Sequence, residues 1–236
     1  MMTCRIVPAH GLGYGAIPMR WETHCHTVYS NRRKRRFDAL NTPKEMIEAA
    51  ISRGLRGLVI TDHDSVKGGL VGQRLARNYP EFIVIPGIEV TSAAGHILAI
   101  GVRDNIPKGL QVAETIEEIH SAGGIAVASH PFSKKARSVK DQCVLADAIE
   151  VFNANNTPKA NSMAMQLAGT NSKPKSAGSD AHWTRVIGNA GLVCDDPLED
   201  LLRGRARVFG TYTTLLERRT FQAKQILSSL AGRPIS

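Results

Sequence analysis

Residues 42–64 read TPKEMIEAAISRGLRGLVITDHD, and the order of chemistry within them decides the fold class. Thr42 is a capping hydroxyl, Pro43 takes the first helical position and Glu45 the third, a reciprocal capping arrangement. Met46, Ile47, Ala50 and Ile51 share one face, and Gly54 supplies the stop. Leu58-Val59-Ile60 follows as an unbroken apolar run, the pattern of a strand covered on both faces. It ends directly on Thr61-Asp62-His63-Asp64. The segment therefore predicts a helix, a buried strand and a polar cluster at that strand's C-terminal end.

The same order recurs on both sides. Further apolar runs are Phe82–Ile85, Ile97–Ile100, Ile125–Ala128 and Ala148–Phe152. Helical patterns fall near 67–77, 113–121, 159–169 and 214–229. Strand and helix alternate with no break in composition, which predicts one α/β domain over 19–236. A barrel and a doubly wound sheet both fit; no G-x-G-x-x-G loop opens a helix, which weakens the dinucleotide-binding form of the latter. Residues 1–18 read as a tail or as a misassigned start ahead of Met19. The stretch from Pro197 to Ser236 predicts a last strand and a covering helix.

Bulk composition narrows the function. The chain has 236 residues, 42% hydrophobic and 22% charged, the balance of an ordinary globular protein. No apolar stretch approaches a spanning helix, and the N-terminus lacks the apolar core of a secretory signal, so the expected setting is cytoplasmic, away from membranes. Cys4, Cys25, Cys143 and Cys194 form no C-x-x-C pair. A net charge of +9 points to a phosphorylated or polyanionic partner. Aromatic residues are only 5%, too few for an extended base-stacking platform.

Five polar clusters follow strand-like segments: Glu22-Thr23-His24-Cys25-His26, Thr61–Asp64, Gly87-Ile88-Glu89 with His96, Ser129-His130-Pro131, and Gly178-Ser179-Asp180-Ala181-His182. Parallel α/β folds gather the C-terminal ends of their strands at one site. His24 and His26 are two apart, so on a strand both imidazoles face one side and Cys25 the other. Imidazole and carboxylate are ligands for zinc, manganese or iron. Six histidines with Glu89 and Asp180 exceed what one ion needs, so two or three divalent ions bridged by a carboxylate are expected. Taken singly, His130 before a proline, His96, and the turn-type Asp62 and Asp64 each have a bland reading as packing or capping residues. His10 and His120 are assigned no role.

The ordered set H-x-H, T-D-H-D, G-I-E, H-P and S-D-A-H resembles the polymerase and histidinol phosphatase (PHP) family, over roughly Arg20 to Val193, and is most similar to its short stand-alone phosphoesterases. The resemblance implies a distorted seven-stranded β/α barrel, TIM-like, with a trinuclear metal site at the C-terminal ends of the strands. It assigns His24, His26, Glu89 and Asp180 to a first ion, with Glu89 bridging to a second held by His96 and His130. His63 and His182 fall to a third, with one more side chain from the loop after the first strand. In this chain that loop is lengthened and carries Arg32-Arg33-Lys34-Arg35-Arg36, which moves the expected ligand to Asp38. Glu22 stands where relatives usually have Asp, and is expected to hydrogen-bond a ligand imidazole.

The implied activity is metal-dependent hydrolysis of phosphate esters, as a phosphatase or exonuclease, with hydroxide generated at the metals as the nucleophile. Substrates are a nucleotide, an oligonucleotide or a small phosphorylated metabolite, with RNA or DNA ends as a further class. Arg32, Arg33, Arg35, Arg36 and Arg185 are the expected phosphate contacts. Asp62 and Asp64 are candidates for orienting ligands or moving protons. The alternatives are a non-catalytic, metal-containing nucleic-acid-binding module and a histidinol phosphate phosphatase.

Overall fold

A computed structural model describes residues 19–30, 37–134, 136–232 and 234. The capping chemistry read at Thr42 forms as expected. Its side chain accepts from the Glu45 N–H while Glu45 caps the Thr42 N–H, and α1 spans Pro43–Ser52. Gly54 follows at φ 69°, a backbone state that costs glycine little. The chain then enters β2 (Gly57–Ile60), as the apolar run requires. The remaining expected helices are α2 (Lys67–Ala76), α3 (Val112–Ser121), α4 (Pro158–Thr170) and α6 (Leu215–Ala231), with a four-residue α5 (Glu199–Leu202) between the last two.

The strands are β1 (Arg20–Cys25), β2, β3 (Ile83–Thr91), β4 (His96–Ile100), β5 (Ile125–Ala128), β6 (Ala148–Asn153), β7 (Lys175–Gly178), β8 (Ala190–Val193) and β9 (Arg207–Gly210). They form one sheet in the order β7-β6-β5-β4-β3-β2-β1-β8-β9. Past the end of β7 the chain pairs with β1 and the residue after it: the Asp180 N–H donates to His24 O at 2.9 Å and the His26 N–H to Ala181 O at 2.8 Å. The result is an α/β fold with a nearly closed, barrel-like sheet.

The strand count differs from the seven expected. Among the described residues nine strands join this sheet, because β8 and β9 add antiparallel beyond β1. The parallel pattern is also broken, because β4 runs antiparallel to both β3 and β5. Only Ser92–Gly95 separates β3 from β4, too short for a crossover helix, and Ser92 closes the turn on Gly95. Consequently β3 runs well past Phe82–Ile85, and Glu89 lies inside the strand between the buried Ile88 and Val90.

Trp21, Val59, Leu98, Ile100, Val127, Ala148 and Leu192, from six strands, form one buried cluster. A Cβ on Gly57 would sit 2.5 Å from the Trp21 ring and 2.3 Å from Ile83 O, so glycine lets the indole fill that space. Two other clusters join the sheet to its helices. No described helix is long and apolar enough to cross a membrane. Arg32, Arg33, Arg35 and Arg36, with the segment 1–18, lie outside the described residues.

Candidate metal centre

The alternation of β1 sets the centre of the site. His24 and His26 are fully buried on one face, with Nε2 atoms 3.2 Å apart. Cys25 points the other way, where its thiol donates to Val59 O, and burial pushes its pKa well up. It is a packing residue, as the spacing predicts.

The other clusters converge on these imidazoles. Glu89 Oε1 lies 2.9 Å from both His96 Nδ1 and His130 Nε2. Its Oε2 lies 3.0 Å from His63 Nδ1 and 3.3 Å from His26 Nε2. Asp180 Oδ1 stands 3.3 Å from His26 Nε2 and 3.5 Å from His24 Nε2. Asp38, beyond the basic loop, brings Oδ2 to 3.6 Å from His63 Nε2 and 3.5 Å from His182 Nε2. All nine residues singled out as ligands thus meet in one constellation. His63 joins Glu89 and His96 in one compact group, and His26, Asp38 and His182 in another.

Hydrogen bonds at Nδ1 set the orientation of three of the imidazoles. His24 Nδ1 meets Glu150 Oε1 at 2.9 Å, an acceptor-only carboxylate, so Nδ1 carries the proton. His182 Nδ1 meets the Asp180 carbonyl at 2.9 Å and must donate as well. His26 Nδ1 meets Ser30 Oγ at 3.0 Å; that hydroxyl spends its proton on Asp62, so it accepts from His26. Each ring therefore turns Nε2 toward the carboxylates.

The donor set fits divalent cations. Glu89 Oε2, His63 Nδ1 and His96 Nδ1 are buried and, among the described residues, have no hydrogen-bond partner despite lying within 3.0 Å of one another's groups. Atoms so placed face common points instead of pairing, and a cation at such a point satisfies them. The electrostatics agree. Burial opposes charge at Glu89, yet His96, His63 and His24 hold its carboxyl well below the usual range. Burial likewise opposes charge on His182, but Asp38 and Asp180 lift it to about 10. Burial, then the charges of His182 and His63, lowers His26 to about 3. A cation takes over the charge balance that the protons otherwise supply.

Behind the candidate ligands stands Glu150, which the sequence reading passed over. Its Oε1 holds His24, and its Oε2 accepts from the His130 N–H at 2.7 Å and from Asn153 Nδ2 at 3.0 Å. Its only signal was a charge inside the apolar run Ala148–Phe152. Glu22 corrects an expectation: among the described residues it bonds no imidazole. It accepts from the backbone N–H groups of His24, Ser179 and Gly188 and from the Ser179 hydroxyl. Residue 22 lies one pleat below His24, so its carboxyl reaches the barrel wall, where burial raises its pKa to about 7.

Asp62 braces the turn after β1, accepting from the Thr27 N–H and from the Thr27 and Ser30 hydroxyls, and so reaches His26 through Ser30. Asp64 accepts from the Thr91 N–H at 2.8 Å and ties the end of β3. Arg185 is exposed, and its carbonyl accepts from the Arg53 guanidinium. His120 pairs with Asp147 at 2.9 Å, outside the constellation.

Gly178 shows how tight the brace is. A Cβ there would lie 2.3 Å from His24 Cβ and 3.0 Å from Glu150 Oε1. Gly178→Ala is expected to cost about 1–3 kcal/mol of stability through overpacking, read by denaturant unfolding. An unchanged midpoint would refute the close approach.

Comparison with known proteins agrees with this geometry. A family model described as PHP-associated matches residues 158–204, the segment that carries β7 and His182. The uncharacterized protein MJ1587 of Methanocaldococcus jannaschii is 34% identical over 142 residues, 58% of this chain and 82% of its own. The chain belongs to the PHP family. Solved structures share the PHP fold at low identity. A Bifidobacterium adolescentis protein described as a candidate metal-dependent phosphoesterase is 18% identical, with a TM-score of 0.63 over 83% of this chain and 97% of its own. A two-domain Bacteroides vulgatus protein, described as containing a PHP-like metal-dependent phosphoesterase, is also 18% identical, with a TM-score of 0.65 over 87% and 69%.

Proposed function

We propose that this protein is a metal-dependent phosphoesterase that hydrolyses a nucleotide, an oligonucleotide end or a small phosphorylated metabolite in the cytoplasm. The observation that carries the reading is the set of fixed tautomers. His24, His26 and His182 each commit Nδ1 to a neighbour and present Nε2 to Glu89, Asp180 or Asp38. Two or three divalent ions, manganese, iron or zinc, suit nine such donors on a barrel whose first seven strands run in chain order. The descriptions of the solved relatives as metal-dependent phosphoesterases support the reaction class.

Divalent cations there supply two things: a lowered pKa for water and neutralisation of phosphate oxygens. The chain's own residues do the rest. Side-chain exposure rises from 0% at His24 to 18% at His182 and 35% at Asp38, so an ester reaches the site from the Asp38 side. His24 and His26 form a dry floor that keeps bulk water from the far side. Hydrolysis adds water across the P–O bond, leaving phosphate and the free alcohol. Arg32, Arg33, Arg35 and Arg36, on the loop that ends at Asp38, are proposed to bind phosphate oxygens in two-point fashion, with Arg185 as an outer contact.

The test is a phosphoester panel with Mn²⁺ that includes histidinol phosphate, a 3′,5′-bisphosphonucleotide and 5′-phosphorylated RNA. Turnover that Asp180→Ala abolishes is expected. Salt-sensitive RNA binding with no turnover would instead favour a non-catalytic binding module. Turnover surviving Asp180→Ala would sink the assigned site.

A further inference from the structure

Beside the exposed edge of the site, α6 and the residues before it wall a cavity of about 270 Å³. Asp38 and His182 form its inner rim, Trp183 and Phe221 an aromatic side, and Thr213 and Arg218 a polar side. The cavity thus begins where the candidate metal centre ends.

Its polar side carries the strongest signal. Thr213 is only 6% exposed, and its Oγ1 is buried with no hydrogen-bond partner among the described residues. A stranded hydroxyl is costly unless something else satisfies it. The backbone leaves it little freedom, because the Thr213 N–H donates to Ala154 O at 2.9 Å. Arg218 is held by the same Ala154 carbonyl and by that of Thr213: its Nε donates to Thr213 O at 3.2 Å and its Nη2 to Ala154 O at 3.5 Å. Two of its five N–H groups are spent on orientation, which leaves three for a ligand.

The aromatic side suits a ring. Phe221 lies 5.9 Å from Trp183 and 6.1 Å from His182, centroid to centroid. Asn155 and Gln222 add amides at the wall, groups that donate and accept as a base edge requires. The volume falls just under the roughly 300 Å³ at which ordinary ligand pockets begin, so it admits one such unit and no run of them.

We propose that this cavity receives the alcohol half of the ester, a ring-bearing group of nucleoside size, with Thr213 and Arg218 as its hydrogen-bonding contacts and Phe221 as its ring contact. The assignment of the occupant as a leaving group rests on the phosphoesterase reading; the cavity and its polar wall do not.

The test therefore reads binding without turnover. Adenosine, guanosine, cytidine and uridine are titrated against the full chain, following the fluorescence of Trp183 in the cavity wall. Trp21 in the barrel interior gives a constant background. Saturable quenching by at least one ribonucleoside is expected. Thr213→Val should weaken it about fivefold by removing one hydrogen bond, while Thr213→Ser, which keeps the hydroxyl, should restore it. Circular dichroism shows whether the valine variant folds; if it does not, the serine variant and an Arg218→Gln variant carry the comparison. No saturable quenching by any of the four, or equal affinity in folded Thr213→Val, would overturn the proposal. Failure of the phosphoesterase reading shows separately, as absence of turnover on the ester panel.

Discussion

Glu89→Gln is expected to leave the protein unable to hold more than one cation and to lower Mn²⁺-supported turnover by at least about a hundredfold. The carboxylate is surrounded on both oxygens. Oε1 lies 2.9 Å from His96 and His130, and Oε2 lies 3.0 Å from His63 and 3.3 Å from His26. An amide of the same shape removes the negative charge that two neighbouring cations would share. It also turns an N–H₂ group toward nitrogens that need an anion or a metal. Elemental analysis of purified protein reads the loss as metal per chain, and turnover is measured on the same samples. An unchanged metal content would show that Glu89 bridges nothing.

The second large effect is expected from a residue that touches no substrate. Glu150→Ala should weaken metal binding by about 10–100-fold, the usual consequence of losing the group that orients a ligating histidine. Removing the carboxylate frees His24 to rotate and to place its proton on Nε2. It also leaves the buried His130 N–H without an acceptor, which costs about 1–3 kcal/mol of stability. Glu150→Gln keeps one acceptor oxygen and should recover part of both losses. Metal titration and denaturant unfolding separate the two effects. Equal metal affinity in the alanine variant would mean that β1 alone fixes His24.

Much of this was legible in the chain because the chemistry sits at the ends of covered strands. His24 and His26 two residues apart, and Asp180 and His182 likewise, disclose their shared face without any structure. Asp38 was reachable too, as the first carboxylate after a lengthened basic loop, and it does meet His63 and His182. Glu150 was not, because a single charge inside an apolar run looks like an edge of the strand until its partners are seen. Glu22 was misplaced for a related reason: period-two alternation gives the face but not the depth, and one pleat separates an imidazole partner from a backbone partner. The last strand expected after Pro197 is β9, whereas β8 escaped because it is four residues long and lies beyond the last recognisable cluster. Thr213 carries no charge, so nothing in its letter distinguished it from any other loop threonine.

The order of the chain has a consequence for how such a protein diversifies. Every residue of the histidine–carboxylate constellation precedes residue 183, whereas Thr213, Arg218 and Phe221 come from the last strand-to-helix unit. That unit joins the sheet through β9, which pairs along one side with β8. On the proposed reading, an exchange of the terminal segment between relatives would alter the cavity's polar wall, and it would reach the centre itself through Gln225, whose Nε2 donates to Phe37 O and Asp38 O. Chemistry and preference would then be inherited largely on separate stretches of one polypeptide, which meet at Asp38.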